Sequence, residues 1–248
     1  MGKGKGDHRI LTICSMIGEA KRVVEIGADH GLISLTLAQR KDIDEILSTD
    51  ISPASLSKLK DLLNKPKLKG SEAGRKIRLH VGDGLKGLPW DWADVLILTG
   101  MGGNLILSIL EGNFSLAQKA SQWILGPQSD LPPVRTFLIE KGLGVQERMA
   151  EEGGKYYPLL DVRPDEPMED FYREALSSPF MMEYGPDLLR KRDPILLRLL
   201  HRDQEKIKKI LKDLNSKNRS ALMRREDLAL WNQEIQTYLE GAHPKEGH

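Results

Sequence analysis

Short apolar runs alternate with helical patterns along most of this chain. The runs are rich in Val, Ile and Leu and lie at residues 23–26, 46–49, 77–81, 94–98 and 123–125. Between them, apolar positions recur three or four residues apart, which predicts amphipathic helices. Two further runs, 145–149 and 156–162, flank Glu152-Gly153-Gly154 and are typical of an antiparallel hairpin. Five β/α units and a closing hairpin predict a seven-stranded, mostly parallel, doubly wound α/β sheet.

The chain changes character near Pro164. Prolines punctuate residues 164–186 in the manner of a linker, and two helical stripes follow. The stripes consist of apolar residues at helical spacing: Leu196, Leu200, Ile207, Leu211 and Leu214, then Leu228, Trp231, Ile235 and Tyr238. Such seams on either side of a polar turn predict an antiparallel helical hairpin, a short coiled coil. We therefore expect one domain over residues 1–163 and a basic α-helical domain over residues 164–248.

Composition and charge narrow the classes of function. A chain of 248 residues that is 40% hydrophobic can bury a large core, and a net charge of +1 does not by itself require a nucleic-acid partner. Locally, however, residues 187–225 hold thirteen Lys and Arg against five Asp and Glu, a basic surface suited to phosphates. The single cysteine, Cys14, excludes an internal disulfide framework, and the apolar runs are too short to span a membrane. We expect a cytoplasmic protein.

Residues 22–31 read Arg-Val-Val-Glu-Ile-Gly-Ala-Asp-His-Gly, which predicts a strand, a tight turn and a helix. Backbone N–H groups at such a helix N-terminus favour a ligand with carboxylate or hydroxyl oxygens. Asp50 ends the next strand, nineteen residues after Gly31, a distance that suits the two hydroxyls of a ribose. An ordinary βα turn is the alternative, but the acid at this distance favours a nucleoside site.

The other strand ends carry similar residues. Ligands of doubly wound sheets bind outside the carboxyl ends of the strands, where glycines allow a close approach of the backbone. The ends are Gly27-Ala28-Asp29-His30-Gly31, Asp50-Ile51, Gly82-Asp83-Gly84, Thr99-Gly100-Met101-Gly102-Gly103 and Gly126-Pro127-Gln128. Each could be a plain turn, but five together on one edge indicate a single binding site.

These motifs, together with Glu151-Glu152-Gly153-Gly154-Lys155-Tyr156-Tyr157, resemble in order those of the TrmK family. That family comprises bacterial tRNA adenine-N1 methyltransferases that act on adenine 22 of the D-arm. The resemblance covers the whole chain, including the basic helical segment, which is the predicted domain of residues 164–248. The chain departs from the family at Leu32, where an aromatic residue is usual, and at Ser34, where a proline is usual. Thr99 and Gly126-Pro127-Gln128 replace the usual Ala and Gln-Pro-Asn.

The resemblance implies a Rossmann-like class I methyltransferase that uses S-adenosylmethionine and acts on tRNA. The cofactor-binding residues would be Glu25, Gly27, Ala28, Asp29, His30, Gly31, Asp50, Ile51, Gly82, Asp83, Gly84, Gly100, Met101, Gly102 and Gly103. The RNA contacts would be Pro127, Gln128, Arg190, Lys191 and Arg192. Asp29 stands where ordinary methyltransferase turns have glycine, and it would be the catalytic carboxylate that balances charge on the methylated ring or accepts a proton from the exocyclic amine. We expect no metal, because the His and Cys residues show no ligand spacing.

Two other functions fit the pattern. One is a methyltransferase for small molecules, with the helical segment as a lid or a dimer surface. The other is a non-enzymatic adaptor that binds nucleotides or RNA. The basic helical segment favours RNA over a small molecule, and Asp29 in place of a glycine favours an enzyme over an adaptor. The sequence does not determine the oligomeric state, for which a monomer is our expectation.

Overall fold

The computed structural model describes residues 7–28, 30–88, 93–213 and 219–241. A seven-stranded sheet forms the centre of the molecule, with the strand order β3-β2-β1-β4-β5-β7-β6. The strands are β1 Arg22–Ile26, β2 Glu45–Asp50, β3 Ile77–Val81, β4 Val95–Thr99, β5 Gln122–Gly126, β6 Leu143–Glu152 and β7 Lys155–Pro167. The first five are parallel, and β7 is antiparallel to both β5 and β6. The predicted mostly parallel sheet is confirmed.

Helices cover both faces of this sheet because apolar side chains alternate along its strands. On β4, Val95 and Ile97 face one core while Leu96 and Leu98 face the other. The helices of this part are α1 Asp7–Met16, α2 Leu32–Leu37, α3 Pro53–Leu63, α4 Glu72–Lys76, α5 Gly103–Gly112, α6 Phe114–Ala117 and α7 Leu131–Lys141. The first three pack on one face, and α5 to α7 pack on the other. The result is a three-layer α/β/α arrangement that leaves the carboxyl ends of the parallel strands at one edge.

The predicted hairpin of β6 and β7 is present and longer than expected. Glu152 pairs with Lys155 across the two-residue loop Gly153-Gly154. Both glycines have positive φ, 58° and 75°, the combination that two-residue hairpin loops require. This tight turn fixes the register along the whole hairpin, up to the pairing of Gly144 with Arg163.

The predicted linker over residues 164–186 is wrong, because the segment is ordered secondary structure. Strand β7 continues to Pro167, so the predicted boundary between residues 163 and 164 falls inside a strand. Short helices follow: α8 Asp170–Glu174, a 3₁₀ turn Ala175–Ser177, α9 Pro179–Tyr184 and α10 Pro186–Arg190. Pro179 and Pro186 begin helices, where a missing N–H costs nothing. The prolines of this segment therefore lie in strand β7 or at helix starts, and the division into two domains stays a prediction.

Two long helices, α11 Pro194–Asp213 and α12 Arg219–Leu239, form the predicted antiparallel hairpin. Arg192, which lies just before α11, donates through Nη1 to the carbonyl of Tyr238 at the far end of α12, 3.2 Å away. The predicted seam is confirmed by the buried side chains of Leu196, Leu200 and Ile207 on α11 and Ile235 on α12. Leu214 lies outside the described residues. None of the described helices is long and apolar enough to cross a bilayer.

Candidate functional site at the strand ends

The turn after β1 is held tightly against its neighbours. The N–H groups of Gly27 and Ala28 both donate to the carbonyl of Thr49 on β2, at 2.9 and 3.1 Å. Gly27 has φ of 80°, and a Cβ there would lie 2.7 Å from Cε of Met101. Gly31 has φ of 63°, and a Cβ there would lie 2.5 Å from the Leu59 side chain. The geometry therefore requires glycine at both positions and brings the loop after β4 against the turn.

Asp29 lies outside the described residues, so its catalytic role stays a prediction. The residues before and after it, Ala28 and His30, are described. Ala28 is fully buried, whereas His30 is exposed and adopts a left-handed backbone with φ of 64°. The Nε2 atom of His30 lies 3.3 Å from Nζ of Lys58 on α3. After Asp29, the described chain therefore resumes at an exposed residue that lies beside a basic side chain.

Glu25 lies beneath the turn, with only 3% of its surface exposed. One carboxylate oxygen accepts from the Ser34 N–H at 3.1 Å and from the Ser34 hydroxyl, and that hydroxyl lies 2.6 Å from Oγ of Ser48. Burial raises the pKa of Glu25 to about 7, while the hydrogen bonds from Ser34 oppose this shift. The structure thus shows Glu25 fastening the turn to α2, and its predicted contact with a cofactor stays a prediction.

The ends of β2 and β3 meet at the same edge. The carbonyl of Asp50 accepts from the N–H of Gly82 at 3.1 Å, and Asp50 Oδ1 accepts from the N–H of Ser52 at 2.8 Å. Asp83 is exposed beside them and its Oδ2 lies 3.1 Å from Nζ of Lys86. Ile51 is 70% exposed, which is unusual for an isoleucine and leaves an apolar surface next to the two acids. The predicted neighbours Asp50, Ile51 and Asp83 are thus brought together.

The loops after β4 and β5 are joined to each other by their backbones. The N–H of Gln128 donates to the carbonyl of Met101, and the N–H of Gly103 donates to the carbonyl of Ser129, both at 2.9 Å. A Cβ on Gly103 would lie 2.5 Å from the carbonyl oxygen of Asp130, so only glycine fits. Gly100 has φ of 80° and open space where a Cβ would project. The four-residue loop therefore presents bare backbone to the edge.

Ser129 and Asp130 belong to the same edge, although the sequence motifs did not indicate them. Asp130 adopts a left-handed backbone with φ of 56°, and its Oδ2 accepts from the Ser129 hydroxyl at 2.7 Å. The Ser129 Oγ atom lies 3.0 Å from the place where a Cβ of Gly102 would project. The sequence feature that could have indicated them is their position: they form a polar pair directly after Gln128 and just before the prolines at the start of α7.

Arg190, Lys191 and Arg192 are engaged within the protein. Arg190 and Lys191 pair with the two carboxylate oxygens of Asp187, at 3.0 and 2.5 Å, and Asp187 itself is buried. The Arg192 guanidinium lies over the ring of Tyr238, 5.1 Å from its centroid. Within the described ranges, these contacts include none of the predicted strand-end residues. Arg190 and Lys191 remain about half exposed, so their contact with RNA stays a prediction.

A cavity of about 490 Å³ opens beside Pro127 and Gln128. Its other walls come from the β6–β7 hairpin and from helices α9 and α11. The polar and aromatic residues of these walls include Lys155, Tyr156, Tyr157, Tyr184, Arg202 and Asp203. The two predicted RNA contacts Pro127 and Gln128 therefore face a space that the helical segment completes, which the sequence alone did not indicate.

Within the described part of the chain, no group of three or more His, Cys, Asp or Glu side chains could hold a metal ion. The strand-end edge offers instead backbone N–H groups, two carboxylates at neighbouring strand ends and one exposed apolar side chain. Such a set suits an organic ligand that carries hydroxyls and a flat ring.

Comparison with known proteins agrees with this geometry. A curated relative, the tRNA (adenine(22)-N(1))-methyltransferase of Bacillus subtilis strain 168, is 24% identical over 199 residues, which cover 80% of this chain and 81% of the relative. Among solved structures, M. capricolum TrmK in complex with S-adenosyl-homocysteine is 18% identical and superposes with a TM-score of 0.75, over 96% of this chain and 99% of that one. B. subtilis TrmK is 22% identical with a TM-score of 0.72, over 93% and 97%.

These likenesses confirm the resemblance to TrmK proteins that the motifs indicated, and the structural matches show that the helical segment belongs to the shared fold. The profile of the methyltransferase domain family matches residues 7–160, which is more than half of the chain. The protein therefore belongs to the methyltransferase domain family.

Proposed function

We propose that this protein transfers a methyl group from S-adenosylmethionine to N1 of adenine 22 in the D-arm of tRNA. The observation that carries the proposal is the meeting of five glycine-rich or acidic strand ends at one edge, beside a cavity completed by a basic helical segment. The curated relative bears the name of this reaction, and the match to it covers 80% of this chain. We infer that the reaction takes place in the cytoplasm.

The strand-end residues fit S-adenosylmethionine. Positive φ at Gly27 and open space at Gly100 allow backbone to approach a ligand closely. The carboxylate of Asp50 would accept from the ribose hydroxyls, and Asp83 would accept from the exocyclic amine of the adenine. The exposed side chain of Ile51 would cover the flat ring. When bound, the cofactor supplies a methyl group that its sulfonium has already activated.

The transfer requires alignment more than a strong base. The N1 lone pair of the substrate adenine forms the new N–CH₃ bond as the S–CH₃ bond breaks, and the sulfur keeps the bonding electrons. N1 lies on the pairing edge, so the base must first leave its stack. The product ring carries a positive charge, which a nearby carboxylate stabilises where water is excluded. We assign this role to Asp29.

The basic helical segment would bind the tRNA backbone. Residues 187–225 carry thirteen basic and five acidic side chains, and much of this charge lies on exposed positions of α11 and α12. Phosphate contacts fix register and orientation while the strand-end edge performs the chemistry. Arg190, Lys191 and Arg192 belong to this proposed surface, although two of them also pair with Asp187.

The test is mass spectrometry of nucleosides from an unmodified tRNA transcript incubated with the purified protein and S-adenosylmethionine. We expect 1-methyladenosine at position 22, and a transcript with guanosine at position 22 as the matched control should gain none. Cofactor turnover on a small molecule with no RNA product would favour the small-molecule methyltransferase. Tight tRNA binding with no turnover on any substrate would favour the adaptor.

A further inference from the structure

The cavity beside Gln128 is directly linked to the predicted cofactor loop. The N–H of Gln128 donates to the carbonyl of Met101 at 2.9 Å, so this wall of the cavity borders the loop after β4. Pro127 is buried in the adjoining wall, whereas Gln128 is exposed. A group in this cavity would therefore lie next to the edge where the methyl group is expected.

One wall of the cavity consists of a guanidinium stacked on an aromatic ring. The guanidinium of Arg202 lies over the ring of Tyr156, 4.5 Å from its centroid. Arg202 also pairs with Asp203, whose Oδ2 accepts from the Tyr184 hydroxyl at 3.4 Å. Aromatic rings and guanidinium planes are the surfaces on which unstacked bases lie in RNA complexes. A volume of about 490 Å³ is within the range of small-ligand pockets and is large enough for a base.

The side chain of Gln128 has the chemistry that recognises adenine. A carboxamide can accept from the N6 amine of adenine and donate to its N7 at the same time. This pairing occupies the N6/N7 edge and leaves N1 open, as methylation at N1 requires. A residue that read the N1/N6 edge instead would block the reacting atom.

We propose that this cavity receives the extruded substrate adenine, with Gln128 reading its N6/N7 edge and the Tyr156–Arg202 wall providing the stacking surface. The inference rests on the proposed function and names the site of its substrate. Leu32, which follows the turn after β1, is 46% exposed and offers no aromatic surface. The aromatic surface for the base comes from the β6–β7 hairpin instead of from the turn after β1.

The decisive experiment compares Gln128→Ala with the parent protein on two tRNAs, one with adenosine and one with 7-deazaadenosine at position 22. The second lacks the N7 acceptor but keeps N1. We expect the parent protein to lose about fivefold or more in kcat/KM on the deaza substrate. Gln128→Ala should lose about tenfold on adenosine, and the deaza substitution should cost this variant less than about twofold.

The control is Gln118→Ala, which changes an exposed glutamine at the end of α6 and should retain the parent's response to both tRNAs. The inference is overturned if the parent protein methylates both tRNAs equally well, or if the losses from Gln128→Ala and from the deaza base simply multiply. If the parent protein does not methylate the adenosine tRNA at all, the proposed function itself fails, which is a different result.

The stacking wall has its own test. Tyr156→Phe keeps the ring and should stay within about twofold of the parent in kcat/KM, whereas Tyr156→Ala should lose about fivefold or more. The affinity for S-adenosylmethionine should be unchanged in both. A folded Tyr156→Ala variant with the parent rate would overturn the stacking role. If that variant does not fold, the Gln128 experiment decides, because Gln128 is exposed and its side chain carries little of the fold.

Discussion

The guanidinium of Arg135 and the carboxylate of Glu147 form an ion pair that is completely buried, with Nε 2.8 Å from Oε1. Arg135 lies on α7 and Glu147 on β6, and both reach into the helical segment. The Arg135 Nη1 donates to the carbonyls of Met182 and Glu183, and Glu147 Oε2 accepts from the N–H of Asp187 at 3.2 Å. This network therefore fastens helices α9 and α10 to the sheet.

Tyr172 and Asp187 complete the network. The Tyr172 hydroxyl donates to Glu147 Oε1 at 3.0 Å, and burial together with the charge of Glu147 raises the pKa of that hydroxyl well above its usual value. The carboxylate of Asp187 accepts from the N–H of Glu147 at 2.8 Å. Gly185 fits beside the pair only because it lacks a Cβ, which would collide with Glu147 Oε2. The wall of the cavity that α9 contributes depends on this attachment.

We predict that Arg135→Ala lowers the free energy of unfolding by about 3–5 kcal/mol, because it leaves the Glu147 carboxylate buried without its partner. Denaturant unfolding followed by circular dichroism measures the change. Arg198→Ala is the matched control. The ion pair of Arg198 with Glu151 is largely exposed, so its loss should change the free energy of unfolding only slightly. Equal stability of Arg135→Ala and the parent protein would mean that the pair does not hold the helical segment in place.

We predict that Asp50→Ala weakens S-adenosylmethionine binding by roughly 1.5–3 kcal/mol, because a charged acceptor for the ribose hydroxyls is removed. Isothermal titration calorimetry gives the affinity directly. Asp61→Ala, an exposed acid on the neighbouring helix α3, controls for the loss of negative charge. Unchanged affinity in Asp50→Ala would remove Asp50 from the binding site.

We predict that Asp29→Asn keeps normal cofactor affinity but lowers the single-turnover methylation rate about a hundredfold or more. The amide has nearly the same shape as the carboxylate but cannot balance the positive charge on the methylated ring. The rate is measured on tRNA at saturating S-adenosylmethionine. A rate within a few fold of the parent, at normal affinity, would show that Asp29 only shapes the turn.

We predict that the stability difference between Glu25→Gln and the parent protein depends on pH. The folded-state pKa of about 7 exceeds the unfolded value of 4.5, so the folded protein binds more protons between these values. The parent protein therefore loses stability as pH rises from about 4.5 to about 7, by on the order of 1 kcal/mol per pH unit at most. The variant lacks this titration and should gain relative to the parent over that range.

Denaturant unfolding of the cofactor-free proteins at several pH values checks this prediction. A constant difference between pH 4.5 and 7 would mean that Glu25 titrates normally in the folded state. The Ser34 hydrogen bonds would then offset the effect of burial on the pKa of Glu25.

We predict that Lys208→Glu combined with Lys209→Glu weakens tRNA binding and lowers the slope of log affinity against log salt. The slope should fall by up to about 0.9 for each phosphate that the double variant no longer neutralises. These lysines lie on α11 apart from Asp187. Lys209 is exposed, and Lys208 is about half exposed and pairs with Glu205, which is itself largely exposed. Changes at Arg190 and Lys191 would also break their pairs with the buried Asp187, which would mix stability with binding. Identical salt slopes for the double variant and the parent would show that these two lysines do not contact phosphates.

Local sequence patterns were sufficient to predict the features that depend on short segments. Strands β1 to β5 were predictable because each contains Val, Ile or Leu residues in a short run and ends at or just before a glycine or an acid. Since parallel strands end at a common edge, the meeting of Gly27, Asp50 and Asp83 followed from their positions in the chain. The helical hairpin was also predictable, because Leu200 and Ile235 belong to local periodic patterns.

The partners of the charged and polar side chains, in contrast, depend on the packing of the folded chain. Glu25 accepts from Ser34 under the turn, and Arg190 pairs with Asp187, contacts that no local pattern indicated. The predicted contacts of Glu25 with the cofactor and of Arg190 with RNA stay predictions. Gln128 and Arg202 share a cavity although 73 intervening residues separate them. Hydrophobic periodicity is a property of residues that are close together in the chain. An ion pair or a pocket wall depends instead on how segments far apart in the chain pack against each other.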